Sequence, residues 1–326
     1  MTDSNWGSAT PWPQGERELA QVRAFNRKLA WLPRFKIRNR LTPRLIQALL
    51  RASQIGGAGK LRKHGLMAER KMYGAVPVRI IRPHGQAKGV VLDFHGGGWV
   101  IGNAQMNDNF NIAMVNTCEV TVVSVDYRLA VSTPIEGLLD DCLCAARGLL
   151  SDAEFADLPV IVVGESAGGH LAAATLLALK SSPGLLQRIS GALLYYGVYD
   201  LSGTPSVHAA TPQTLVLDGP GMVTALRLLT PDLSDAQRQQ PPLSPLYGDF
   251  SDFPPALMFA GELDPLRDDT LELAERWRQS APVEMYLLPS SPHGFIHFPT
   301  AFAESVLAYS RQWITARIDA HVLNRK

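Results

Sequence analysis

The chain has 326 residues, 46% of them apolar, with 31 Lys plus Arg against 30 Asp plus Glu. That length can bury a large core, and the balanced charge leaves no basic field to attract nucleic acid or anionic lipid. Its three cysteines, Cys118, Cys142 and Cys144, are too few and too odd in number for a disulfide framework.

Met1 to Gly15 is polar and lacks the apolar segment of a secretory signal. No run of about 18 apolar residues marks a membrane span. A cytoplasmic globular chain is therefore expected. Residues 16–55 carry helical spacing: Leu19, Val22 and Phe25, then Leu41, Leu45 and Leu49. The small basic groups at Lys60, Arg62 and Lys63 and at Arg70 and Lys71 read as solvated faces. From about Ala75 short β-branched runs begin, at 76–81, 89–94, 120–125, 160–163, 192–196, 256–260 and 283–288. Several are apolar throughout, as strands covered on both faces are. Helical patterns lie between the later runs, at about 135–150, 167–180, 267–279 and 300–317. The alternation predicts an α/β fold with a mostly parallel, doubly wound sheet. One stretch, 199–252, breaks it: this proline-rich segment has only Met222 to Leu229 in helical pattern. A connection of that length usually forms a lid or binding insert. With the N-terminal segment to about residue 60, it reads as a helical cap on a single domain spanning 1–326.

The chemistry concentrates at strand ends. Gly164-Glu-Ser-Ala-Gly168 stands between the strand ending at Val163 and the helix beginning at Gly169. This is the nucleophile-elbow pattern in its strand–turn–helix context. Gly164 and Gly168 let strand and helix approach, Glu165 precedes the serine, and Ser166 sits in the strained turn. The dinucleotide and P-loop fingerprints both fail here, because the second Gly of one and the Lys of the other are missing. A second piece, His95-Gly-Gly-Gly-Trp99, follows the 89–94 strand. Consecutive glycines let N–H groups converge on one point, as an oxyanion hole requires. Gly97 and Gly98 are the expected donors, with Ala167 as the third. Gly96 and His95 then shape the loop, and Trp99 could narrow the site.

A serine needs a base, and on this pattern chain order runs Ser, acid, His. That order excludes His64, His84 and His95. His170 lies one turn along the elbow's helix and should point away from the exposed face. His321 falls in the last helix or tail. His293, in Ser290-Ser-Pro-His-Gly-Phe295, follows a strand directly and is preferred. His297 is the rival, read otherwise as an aromatic-flanked structural histidine at the start of the last helix. The acid should follow a strand between Ser166 and His293, and Asp264 fits best. Glu262 lies nearer the strand end, and Asp268 and Asp269 read as helix caps.

Taken together, His95-Gly-Gly-Gly98, Asp126-Tyr-Arg-Leu129, Gly164-Glu-Ser-Ala-Gly-Gly169, Asp264-Pro-Leu-Arg-Asp268 and His293-Gly-Phe295 resemble the hormone-sensitive-lipase-like family of α/β-hydrolase esterases. Leu193-Leu-Tyr-Tyr-Gly-Val198 and Phe295-Ile-His-Phe298 are similar to bacterial acetyl esterases. The resemblance implies an α/β-hydrolase fold with a helical cap and hydrolysis of short-chain acyl esters on Ser166, His293 and Asp264. It implies no metal or organic cofactor and a small-molecule ester as the partner. A homo-oligomer is compatible with it. The chain departs from the family at Val131-Ser132, where Pro-Glu usually stands, at Glu136 in place of a proline, and at Glu165, where Asp or Thr is commoner. The same triad on another acyl hydrolase, such as an amidase, or a non-catalytic binding protein on this fold, are the alternatives.

Overall fold

The β-branched runs become strands of one sheet in a computed structural model that describes residues 9–13, 15–37, 39 and 41–324. Met1–Ser8, most of the segment read for a signal, lie outside the described residues. In chain order the N-terminal part contributes β1 (Thr10–Pro11), α1 (Glu16–Leu29), α2 (Leu41–Ser53) and α3 (Gly57–Lys63). Then come β2 (Ala68–Tyr73), β3 (Val76–Ile81), β4 (Gly89–Phe94), α4 (Asp108–Cys118), β5 (Val120–Val125), α5 (Ile135–Leu150), β6 (Val160–Glu165), α6 (Ala167–Leu179), α7 (Pro183–Leu186) and β7 (Ile189–Tyr195). The long insert holds α8 (Pro205–His208), α9 (Met222–Leu229) and α10 (Asp235–Arg238). The chain closes with β8 (Ala256–Gly261), α11 (Arg267–Arg278), β9 (Val283–Leu288) and α12 (Ala301–Asn324).

The strands lie in the order β1-β9-β8-β7-β6-β4-β5-β3-β2. Pairing is parallel from β1 through β5, and β3 pairs antiparallel with both β5 and β2. The pleat sends alternate residues to opposite faces. Val90, Leu92 and Phe94 join a core with residues of α5, α6 and α11, while Val91, Ile161 and Val163 face a second core with residues of α4 and α12. Both faces are thus covered, which is why the central strands are buried at every position and mostly apolar.

Two elements carry no clear sequence signal. β2 is an edge strand with Glu69, Arg70 and Lys71 in succession, paired along its length with β3 and buried only at Tyr73. Lys71 on it ion-pairs with Asp152 at 2.5 Å, so this part of the predicted solvated face has a partner. In α4, Asp108 and Asn111 are buried, which hides the helical pattern. Asn111 donates to Asp93 Oδ2 at 3.0 Å, and Asp108 pairs with Arg79 at 2.9 Å. The exposed Leu45 and Leu49 of α2 show the reverse case: the buried face there carries Gln47, which bonds both N–H and C=O of Gly102.

The insert is tied down at both ends. Asp269 accepts from Tyr199 N and Asp200 N and from Thr204 Oγ1 at 2.6 Å; Asp268 accepts from Ser206 N at 2.9 Å. The expectation that these two carboxylates cap their own helix is therefore corrected. They bind amides across the fold, because the 199–206 segment turns over the start of α11 and its N–H groups need acceptors. At the other end Phe250 and Phe253 pack on Trp277, whose Nε1–H donates to Pro254 O at 2.9 Å. Trp277 is fully buried. Trp277→Ala is expected to cost about 3–5 kcal/mol, read as a lower urea midpoint at unchanged m-value.

Candidate active site

Ser166 occupies the turn between β6 and α6 with φ 53° and ψ −122°, a strained conformation for a non-glycine residue. The turn is possible because its neighbours are small. A Cβ on Gly164 would stand 2.4 Å from Gly168 O, and one on Gly168 would stand 2.0 Å from Phe94 O. Ala167 opens α6, so the positive end of that helix adjoins the serine.

The structure brings the three triad candidates together. His293 Nε2 lies 2.9 Å from Ser166 Oγ, and His293 Nδ1 lies 2.8 Å from Asp264 Oδ2. They come from the ends of β6, β8 and β9, the edge where open α/β sheets bind ligands. His293 and Asp264 are buried, and Ser166 is partly exposed. Asp264 also accepts from Leu266 N at 2.9 Å, which fixes its carboxylate. Glu262 points elsewhere and accepts from Ser290 N at 2.7 Å.

The glycine loop follows β4, beside the elbow. Gly97 and Gly98 have φ of 105° and 59°, and a Cβ on Gly97 would stand 2.1 Å from Ile101 O. His95 is buried within the loop: its Nδ1 lies 2.8 Å from Gly96 O, its ring stacks on Tyr127, and Tyr127 Oη donates to His95 O at 2.6 Å. Burial pulls the His95 imidazole below its ordinary range, keeping the ring neutral.

The remaining histidines fall into other roles. His170 is buried beneath the loop, accepting at Nδ1 from Trp99 Nε1 (3.1 Å), with Nε2 at 2.8 Å from Leu243 O. Burial pulls its pKa down to about 4. Trp99, at φ 63°, is thereby held against the site. His297 lies in a single 3-10 turn, Phe295–His297, ahead of α12 rather than at its start. It does not reach Ser166. Its Nε2 lies 2.6 Å from Glu165 Oε2, a pairing that sequence reasoning missed although both residues stood out in it. His321 lies in α12, with Nδ1 3.0 Å from Ser190 Oγ.

Above Ser166 an apolar cavity of about 510 Å³ opens. Its walls include Gly98 and Trp99, Phe35 and Ile37 from the N-terminal segment, and Leu217, Met222, Leu226 and Leu229 from the insert. The two segments meet there: Phe35 N donates to Val216 O at 2.6 Å, and Asp218 N donates back to Phe35 O at 3.1 Å. Among the described residues no group of three or more His, Cys, Asp or Glu side chains is placed to hold a metal ion. Nor is any described helix long and apolar enough to cross a membrane.

A hydrogen-bonded Ser–His–Asp chain at the carboxyl edge of a doubly wound sheet, beside a glycine loop, has the geometry of an α/β hydrolase. A family model described as alpha/beta hydrolase fold matches residues 91–297, more than half of the chain, and the protein belongs to that family. Among solved structures, a hormone-sensitive lipase from a metagenome library is similar at 26% identity and a TM-score of 0.75, with 91% of this chain and 98% of that one covered. A hormone-sensitive-lipase homologue, EstE7 from a metagenome library, shares 27% identity at a TM-score of 0.70, covering 87% of this chain and all of its own. The esterase LipW from Mycobacterium marinum has the same fold at 24% identity and a TM-score of 0.77, covering 90% and 95%.

Proposed function

We propose that this protein is a serine carboxylesterase that hydrolyses short-chain acyl esters through a covalent acyl-enzyme. The observation that carries the reading is the continuous chain from Ser166 Oγ through both nitrogens of His293 to Asp264, at 2.9 and 2.8 Å. Ser166 Oγ attacks the ester carbonyl while its proton passes to His293 Nε2. The carbonyl oxygen becomes an oxyanion held by the N–H groups of Gly97, Gly98 and Ala167. Collapse breaks the bond to the leaving alkoxide, which takes the proton from His293 and departs as alcohol. His293 then removes a proton from water as its oxygen attacks the acyl carbon; the Oγ–acyl bond breaks, Ser166 Oγ takes the proton back from His293, and the carboxylic acid leaves. Asp264 keeps His293 in the tautomer that presents a bare Nε2 to the serine and stabilises the imidazolium that forms.

The N-terminal segment and the insert act as the cap of the site, since Phe35, Ile37 and α9 wall its apolar cavity. The similarity to hormone-sensitive-lipase esterases supports ester rather than other acyl substrates. Turnover of p-nitrophenyl esters from acetate to decanoate tests the assignment and finds the chain-length limit. High kcat/KM is expected for the shorter esters, with a fall once the acyl chain outgrows the cavity. No turnover across the series would sink the reading, and a maximum at decanoate would overturn its short-chain part. A matched anilide run in parallel separates esterase from amidase.

A further inference from the structure

Beside the triad stands a second carboxylate–histidine pair that the mechanism above does not use. Glu165 immediately precedes Ser166, and His297 follows His293 by four residues, so the pair links the same two segments that the Ser166–His293 bond links. Its Glu165 end is buried while the His297 side chain is 38% exposed. Tyr196 Oη also donates to Glu165 Oε2 at 3.0 Å, and the Tyr196 ring packs edge-on against His293 with centroids 4.8 Å apart. Glu165 lies against the glycine loop as well: a Cβ on Gly96 would stand 3.3 Å from its Oε1.

We propose that Glu165 and His297 are positioning residues for the esterase reaction, an ion pair that clamps the His293 loop to the elbow. The pair works in two ways. It fixes the loop at a point separate from the Ser166–His293 bond, so the base keeps its alignment when that bond breaks during turnover. The imidazolium also neutralises a buried carboxylate lying next to the glycine loop, where an uncompensated negative charge would oppose the oxyanion. This proposal rests on the esterase reading of Ser166.

The surroundings favour the charged pair. Burial pushes the Glu165 carboxyl up, but the charge and hydrogen bond of His297, with the hydrogen bond of Tyr196, outweigh it and hold it below its ordinary range. Burial pulls His297 down, but the Glu165 charge and hydrogen bond outweigh it and hold it above the ordinary histidine value. The other groups around Glu165 are Asp93 and His95 from the β4 strand and the loop after it, Tyr127 after β5, Tyr195 on β7 and His293. Arg311 of α12 lines the small cavity beside it together with Asn111 and Met114 of α4, and the Phe110 ring of α4 packs on His297. The clamp is complete once Glu165 has ionised and is lost as pH rises through the elevated pKa of His297. The clamp therefore predicts a fall of kcat on the alkaline side as His297 loses its proton.

Glu165→Gln and His297→Gln test this, with kcat and KM followed against pH and amide hydrogen exchange followed over residues 290–298. The expected result is a kcat roughly tenfold lower at neutral pH with KM within about twofold, as for misalignment rather than lost binding. The alkaline limb should flatten in both variants, since neither can form the ion pair at any pH. Exchange in the loop should quicken in both, and Glu165→Asp, which restores the charge, should recover part of kcat. Unchanged exchange, or an unmoved kcat profile in both variants, overturns the proposal. Should Glu165→Gln fail to fold, His297→Gln decides alone from its exposed end. Ser166→Ala is run alongside: if it keeps its turnover the esterase reading has failed, and loop exchange then decides whether the pair clamps the loop.

Discussion

Ser166→Ala is expected to lower kcat roughly 10⁴–10⁶-fold, the loss seen when a serine hydrolase loses its nucleophile. Alanine keeps the small volume that the elbow demands and removes only the oxygen that lies 2.9 Å from His293 Nε2. The φ of 53° at this position disfavours any residue with a Cβ, and alanine bears that strain no worse than serine does. The variant should therefore fold, bind ester and fail to turn it over. Burst kinetics sharpen the test: p-nitrophenol should appear in a burst equal to the enzyme concentration where deacylation limits the wild type, and no burst should appear in the variant. A steady rate in Ser166→Ala above about one part in a thousand of the wild type would contradict nucleophilic catalysis by this residue.

Asp264→Asn should cost about 10⁴-fold in kcat with little change in KM. The carboxylate accepts from His293 Nδ1 at 2.8 Å and from Leu266 N at 2.9 Å. An asparagine turned to keep the amide of Leu266 places its NH₂ against His293 Nδ1. The ring must then carry its proton on Nε2, where it can no longer accept from Ser166. The volume is unchanged, so a large loss in kcat with an intact far-UV spectrum and a wild-type-like urea midpoint isolates the tautomer effect. Glu262→Gln is the natural control. Its carboxylate serves Ser290 N, outside the Ser–His–Asp chain, and its effect on kcat should be small. If Glu262→Gln were the damaging change and Asp264→Asn the mild one, the acid would have been misassigned.

Local chemistry made much of this site legible in the sequence. Ser166 announces itself because a strained strand-to-helix turn admits only small flanking residues, and Gly164 and Gly168 meet that demand within a five-residue window. His95 to Gly98 is visible for a similar reason, since only glycine takes positive φ without penalty next to a reacting oxygen. The strands running through the sheet centre were readable because they are buried on both faces, and α5 and α11 because their patterns are long and regular. β2 and α4 were not. β2 is mostly exposed and lies at the sheet edge, and α4 buries Asp108 and Asn111, whose partners Arg79 and Asp93 lie on strands β3 and β4.

What the sequence determined by itself was therefore the class of fold, the elbow, the glycine loop and the order of the candidate acid and base. The elbow and the glycine loop depend on residues close in the chain, where steric and conformational rules act directly, and the fold class and the order of acid and base follow from the succession of elements along it. What only the tertiary structure decided was which side chains meet. Asp268 and Asp269 bind the amides of the insert instead of capping α11. His297 faces Glu165 and not Ser166. Phe35 and α9, almost two hundred residues apart, wall one cavity. These pairings follow from how the strand ends and the segments beyond them are brought side by side, and separation along the chain carries no record of that.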